Sequence, residues 1–329
     1  MSEKNIPLLD MHCDTIWQLA VQKQPGDLMD NTGCVSIEKL QRAGSIAQFF
    51  ACFVYAEELE GDTPEEKYEH GYGSVLEMCD YLKKQEEKYP DEIALTLNYE
   101  QLEKHQKEGR ISAFLTVEEG GILCGKIERL DELYRKGIRL ITPLWNYENC
   151  IGHPNSKDRE QMQLGLKPFG IEAAKRMEEL GIIIDVSHAS DGTFWDLLKY
   201  TEKPLVASHS NCREFCAHPR NLSDEMIRAL AQRGGVAGLN FYGFFLEGNR
   251  ESRLEAMVAH IRHMICVGGS DFPAIGTDFD GFDGMELMEI PDIGEMRCLA
   301  QALKKAGLTT GQIEKIWFGN AKRVIRDLL

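Results

Sequence analysis

His12 and Asp14 stand two apart at the end of the apolar run Leu8-Leu9-Asp10-Met11. In a β-strand, residues i and i+2 point to one face, so these two side chains would converge at the strand exit with Cys13 turned the other way. An imidazole nitrogen beside a carboxylate oxygen suits a borderline divalent cation such as Zn²⁺. The plain alternative is a polar strand end leading into a capped helix, so the metal reading depends on further ligands at later strand ends. Such groups occur. Later apolar runs end in Glu118-Glu119-Gly120-Gly121, Asp185-Val186-Ser187-His188, Ser208-His209-Ser210 and Asp278-Phe279-Asp280-Gly281. Three of the nine histidines fall directly at such exits, and that coincidence carries more than any single motif.

The elements that must position these groups alternate along the chain. Eight candidate strands are Ile6–Met11, Ile46–Val54, Ile111–Val117, Ile138–Thr142, Ile182–Val186, Leu205–Ser208, Gly235–Asn240 and Ala274–Thr277, with amphipathic stretches between them. Thr63-Pro64-Glu65-Glu66 is a capping box with proline at the first helical position, and Thr309-Thr310-Gly311-Gln312 is a second box. Gly137 and Gly181 end helical runs just before strands, where a left-handed cap is expected. Repeated strand-helix units predict an α/β fold, a (β/α)₈ TIM-like barrel forming one domain over residues 1–329, with its site at the C-terminal ends of the strands. An open doubly wound sheet is the runner-up.

Composition narrows the partners. A net charge of −16 argues against nucleic-acid and anionic-membrane surfaces, which need clustered Lys and Arg, and leaves a small molecule as the expected ligand. The N-terminus has no apolar leader and no stretch approaches 20 apolar residues, so a soluble, cytoplasmic protein is expected. The ten cysteines are scattered singly without a C-x-x-C pair, so neither a disulfide framework nor a zinc knuckle is expected. Gly120–Lys126 fits G-x-x-x-x-G-K, but Ile127 stands where a P-loop needs Ser or Thr. His260 and His263 lie three apart without the Glu of H-E-x-x-H and read as helix-face residues.

With these residues in view, the chain resembles the membrane (renal) dipeptidase family of zinc metallopeptidases, in a non-membrane, microbial-type form. The motifs follow the family's order: His-x-Asp, Glu-Gly-Gly, Asp-x-x-His, Ser-His-Ser, Arg220-Asn221 eleven residues beyond His209, and Asp-Phe-Asp-Gly. Gly165-Leu166-Lys167-Pro168-Phe169-Gly170 also looks like the family's G-L-x-P-F-G segment. The resemblance implies a barrel with two divalent ions, zinc first, bound by His12 and Asp14 on one side and by His188 and His209 on the other. Glu119 would bridge them, because it directly precedes the glycine pair. It further implies Asp278 as acid/base, Arg220 as receiver of the substrate's terminal carboxylate, and Asn221 beside it as a second substrate contact. The implied reaction is hydrolysis of dipeptides with a free C-terminal carboxylate, with tolerance of a D-residue there, and a homodimer is compatible with it.

One position departs from the family. After the fourth strand a His that polarises the scissile carbonyl is expected, but the count from Glu119 reaches Trp145. An indole donates only and carries no proton. Trp145 would therefore supply an N–H or stack on the substrate, and His153, eight residues on, could take the missing place. Two alternatives follow: a barrel amidohydrolase acting on N-acyl amino acids, lactams or lactones, and a metal-bound binding protein with weakened catalysis. The first usually shows H-x-H and a carboxylated Lys, whereas here H-x-D and a Glu appear.

Overall fold

A computed structural model describes residues 6–329. The stretch 1–5, on which the expectation about the N-terminus falls, lies outside the described residues. Among the described residues, no helix is long and apolar enough to cross a membrane.

The barrel strands are β1 (Leu8–Cys13), β2 (Ser45–Phe53), β3 (Ile111–Glu118), β4 (Ile138–Thr142), β5 (Ile183–Ile184), β6 (Val206–Ala207), β7 (Val236–Leu239) and β8 (Pro273–Ile275). Each pairs in parallel with its neighbour in chain order, and β1 pairs with β8. The ring closes between β5 and β6 through a parallel bridge, Asp185 to Val206. This is the expected (β/α)₈ arrangement. The short strand Ile93–Leu95, added beside β3, and the pair Glu251–Ser252 with Leu287–Met288 were not foreseen.

Several strands are shorter than the apolar runs that announced them, and the cause is visible at their ends. Asp185 Oδ1 accepts the backbone N–H of Ser187 and of Ser208, while Asp10 Oδ1 accepts that of Thr277. Side-chain carboxylates there take donors that a longer ladder would have used. The helix signals behave as expected. Thr63 and Thr309 both form reciprocal capping boxes, at Pro64–Lys88 and Thr310–Glu314, and Gly137 (φ 104°) and Gly181 (φ 77°) are left-handed caps.

Two apolar layers hold the strands. The inner one gathers Leu9, Met11, Phe49, Phe114, Leu140, Ile183 and Val206 inside the barrel. Ala321, Val324 and Ile325 of the C-terminal helix Asn320–Leu328 join this cluster. The outer layer lies between strands and helices and includes Cys13, which faces away from the barrel axis as expected. Phe49 and Phe114 stack at 4.6 Å between centroids and are fully buried. Phe49→Ala should therefore cost about 3–5 kcal/mol, read as a lowered melting temperature with the metal-binding residues intact.

Candidate metal centre

Five strand exits deliver the cluster. His12 and Asp14 come from β1, Glu118 ends β3, His188 follows β5, His209 follows β6 and Asp278 follows β8. All but Asp278 are buried, and Asp278 is half-buried, its side chain 13 % exposed. His12 Nε2 lies 3.3 Å from Asp14 Oδ2, 3.3 Å from Glu118 Oε2 and 3.7 Å from Asp278 Oδ1. Glu118 Oε1 lies 3.0 Å from His188 Nε2 and 3.5 Å from His209 Nε2, and the two imidazole nitrogens are 3.2 Å apart. The carboxylate of Glu118 thus turns one oxygen to each of two donor groups.

Two groupings suited to a metal ion emerge, His12 with Glu118 and His209, and His12 with Asp14 and Asp278. The separations are close, yet both ring nitrogens of His12, Asp14 Oδ1 and Glu118 Oε1 lack a hydrogen-bond partner despite full burial. Buried polar atoms are nearly always satisfied. Ligands of a tetrahedral ion with bonds of about 2.1 Å stand roughly 3.4 Å apart, so these donors are spaced as ligands of shared cations are. The residues therefore fit metal ions.

The surroundings set the protonation of the donors. Burial, reinforced by Arg220, brings His188 down to about 4, and burial with His12 and Arg220 holds His209 well below the ordinary histidine range. Burial also opposes charge on His12, but Glu118 and Asp14 outweigh it and hold that imidazole well above its usual value. His12 and His188 in turn hold Glu118 well below the carboxylate range against its own burial. Burial lifts Asp278 to about 7 and Asp14 to about 6, His12 opposing both. Hydrogen bonds fix the tautomers. Ser208 Oγ donates to Asp185 Oδ2 and therefore accepts from His209 Nδ1 at 2.7 Å, which leaves the Nε2 lone pair toward the cluster. His188 Nδ1 pairs with Asn146 Oδ1 at 3.3 Å to the same effect.

Glu119, the expected bridge, is turned away. Its carboxylate accepts from Gly121 N at 2.6 Å, Asn149 Nδ2 at 2.8 Å and Trp145 N at 3.2 Å, so it anchors the loop after β4. The glycine pair explains itself by crowding: a Cβ on Gly121 would lie 2.4 Å from Glu119 Oε1, and one on Gly120 would lie 2.8 Å from Pro143 O. Gly121 makes room for Glu119 and Gly120 for the chain at Pro143, while the residue before Glu119 faces the cluster. Asn221 is also corrected. It is buried and its amide donates to Cys216 O and Phe245 O at 3.0 and 2.8 Å, away from the cavity, so it shapes the loop that carries Arg220. His153 is held by Gly165 O at 2.8 Å and is not part of the cavity wall.

Asp278 and Arg220 line a cavity of 680 Å³ over the cluster, together with Trp145, Tyr242 and Glu118. Asp278 adopts φ 62° and Asp280 φ 66°, a left-handed conformation that costs roughly 1–2 kcal/mol per residue. A Cβ on Gly281 would meet Asp14 Oδ2 at 2.3 Å, so only glycine lets this turn close onto the ligands. Asp280 itself accepts from Thr15 Oγ1 and from Cys34 N and Val35 N, which ties it to the wall. Asn240 went unrecognised in the sequence: its Nδ2 donates to Asp278 Oδ2 at 2.8 Å, leaving Oδ1 toward His12. Its place at the end of a strand run was the available signal.

Residues 3–328 match the family model described as membrane dipeptidase (peptidase family M19). The chain belongs to this family. It is a metal-dependent dipeptidase, a hydrolase. A relative from Klebsiella pneumoniae, the uncharacterized protein in the pqqA 5' region, is 33 % identical over 246 residues, covering 72 % of this chain and 89 % of that protein. Among solved structures, a metallopeptidase from Rhodobacter sphaeroides liganded with a phosphinate mimic of L-Ala-D-Ala superposes with a TM-score of 0.88, at 21 % identity over 99 % of this chain and 100 % of that one. The probable dipeptidase PvdM from Pseudomonas aeruginosa gives 0.82 at 20 % identity, covering 91 % and 90 %. These likenesses establish the barrel fold for the M19 chain.

The two adjacent glutamates of this dipeptidase separate cleanly by experiment. Glu118→Gln should lose most bound metal, measured by elemental analysis after purification with the ion present. Glu119→Gln should keep the metal but turn an amide toward three donors, lowering stability by about 1–3 kcal/mol in thermal melts. Metal loss confined to the Glu119 variant would reverse the assignment.

Proposed function

We propose that this M19 member hydrolyses dipeptides bearing a free C-terminal carboxylate, with two divalent ions, zinc first, that His12, Asp14, Glu118, His188 and His209 would hold between them. The observation that carries the substrate reading is the state of Arg220. Its guanidinium is buried, its Nη atoms donate to Ser210 Oγ at 2.6 Å and His209 O at 3.0 Å, and its Nε has no partner. No carboxylate lies within ion-pair distance of it among the described residues, and burial lowers it to about 10. A buried cation without an anion at the edge of a cavity is suited to receive one from a ligand, and a carboxylate matches the planar donor geometry. That favours a free dipeptide over a lactam or lactone.

Bound divalent ions supply an activated water at neutral pH and polarise the scissile carbonyl. The chain's own residues do the rest. Arg220 fixes the far end of the substrate, so the scissile bond lies over Glu118 and His188. Asn240 pins Asp278 Oδ2, and the free Oδ1 takes a proton from the attacking water and returns it to the leaving amine nitrogen. Tolerance of a D-residue at the C-terminal side belongs to the same proposal, and the L-Ala-D-Ala mimic bound by the Rhodobacter sphaeroides enzyme supports it.

Two measurements test this. Asp278→Asn should retain its metal content and lose about 10²–10⁴ in kcat. Survival of kcat within a few fold would place the proton carrier elsewhere. Arg220→Ala should lose on the order of ten- to a hundredfold in kcat/KM, and amidated dipeptides should already be poor substrates of the unmodified enzyme. Equal turnover of free and amidated forms would remove the carboxylate from the reading.

A further inference from the structure

The cavity has two unlike ends. Arg220, on the loop after β6, marks one, with Tyr242 and Phe245 after β7. Phe53 at the end of β2, Tyr55 just beyond it, Trp145 after β4 and Trp17 after β1 mark the other. In a closed ring taken in chain order, β2 and β3 lie across from β6 and β7. The aromatic group therefore faces Arg220 across the cluster.

The rings brace one another. Trp145 meets Phe53 edge-on at 4.9 Å and 70° and Tyr55 at 5.3 Å and 73°, while Phe53 meets Trp17 at 5.1 Å and 83°. Tyr147 lies behind Trp145 at 5.7 Å. Edge-to-face contacts at these distances are the favourable aromatic geometry, so the wall is preformed rather than assembled on binding. A side chain entering it meets ring faces and edges already in place. Glycine or alanine would leave the same surface against water.

Resting on the dipeptidase reading above, we propose that Phe53, Tyr55 and Trp145, flanked by Trp17, form the pocket for the side chain of the substrate's N-terminal residue and select large aromatic or apolar groups there. A dipeptide held by its carboxylate at Arg220, with its scissile carbonyl over the cluster, must carry its first residue onward toward β1–β4. The wall is what it meets. Trp145, which stands where the family pattern expects His, thereby becomes a specificity residue.

The test uses the metal-loaded full chain and dipeptide pairs that share one C-terminal residue and differ in the first: Phe or Leu against Ala or Gly. Phe should exceed Ala by about tenfold or more in kcat/KM, chiefly through KM. Trp145→Phe should keep that preference, and Trp145→Ala should bring the ratio near one. Phosphinate pseudodipeptides with Phe or Ala in the first position give the same comparison as inhibition constants. If Trp145→Ala does not fold, the ratio of the unmodified enzyme and the inhibitor pair still decide. Cleavage with equal rates, or with a preference for Ala, Gly or a cationic first residue, overturns the pocket and leaves the dipeptidase reading standing. Absence of any dipeptide cleavage together with absence of phosphinate binding removes both.

Discussion

The centre depends on buried carboxylates and imidazoles that face each other with several of their polar atoms left unpaired. Glu118 lies between His12, His188 and His209, and the nearest separations of 3.0–3.5 Å are too long or too poorly aligned to satisfy the buried atoms as hydrogen bonds. An unpaired buried polar group costs about 1–3 kcal/mol, and several are concentrated here. The fold must hold them together against that cost, and a cation reverses it. The neutral, tautomer-fixed His209 shows that the arrangement is directed: the proton sits on Nδ1 toward Ser208, where it cannot compete for the centre.

Two buried aspartates supply the holding. Asp10 accepts from Gln48 Nε2 of β2 and from Thr277 N and Oγ1 beyond β8, gathering the strands on either side of β1. Asp185 accepts from Thr142 Oγ1 at the end of β4, from Ser187 and from Ser208 beyond β6, gathering the strands on either side of β5. The two lie at opposite points of an eight-strand ring. Each lies close in sequence to a histidine of the cluster, His12 or His188, so closing the barrel and aiming the ligand are one event. A carboxylate with four or five donors is satisfied inside protein, where a singly paired one would not be.

The site's chemistry was legible where residue type and strand exit coincide. His12, Asp14, His188, His209 and Asp278 could be picked out because each ends an apolar run, and Arg220 and Trp145 because motif spacing placed them; all seven reach one cluster or the cavity over it. The reading failed at Glu118 and Glu119. Alternation along a strand tells which residues share a face only while the strand lasts, and β3 ends between these two. The glycine pair looked like a marker for the ligand, whereas the packing shows Gly121 making room for the carboxylate of Glu119 and Gly120 for Pro143. Asn221 failed for a related reason, since its neighbour Arg220 points inward and the peptide between them turns its amide to Cys216 and Phe245.

What the sequence by itself determined is the set of local choices: the alternation of strands and helices, the two capping boxes, the glycine caps and the donors placed at strand exits. Those follow from nearest-neighbour physics, which acts over a few residues. Only the tertiary structure decided which of two adjacent glutamates faces inward, that Asn240 steadies Asp278, and that the aromatic rings stand across the barrel from Arg220. These depend on contacts between residues as far apart as Asp10 and Thr277, which meet only when the ring closes.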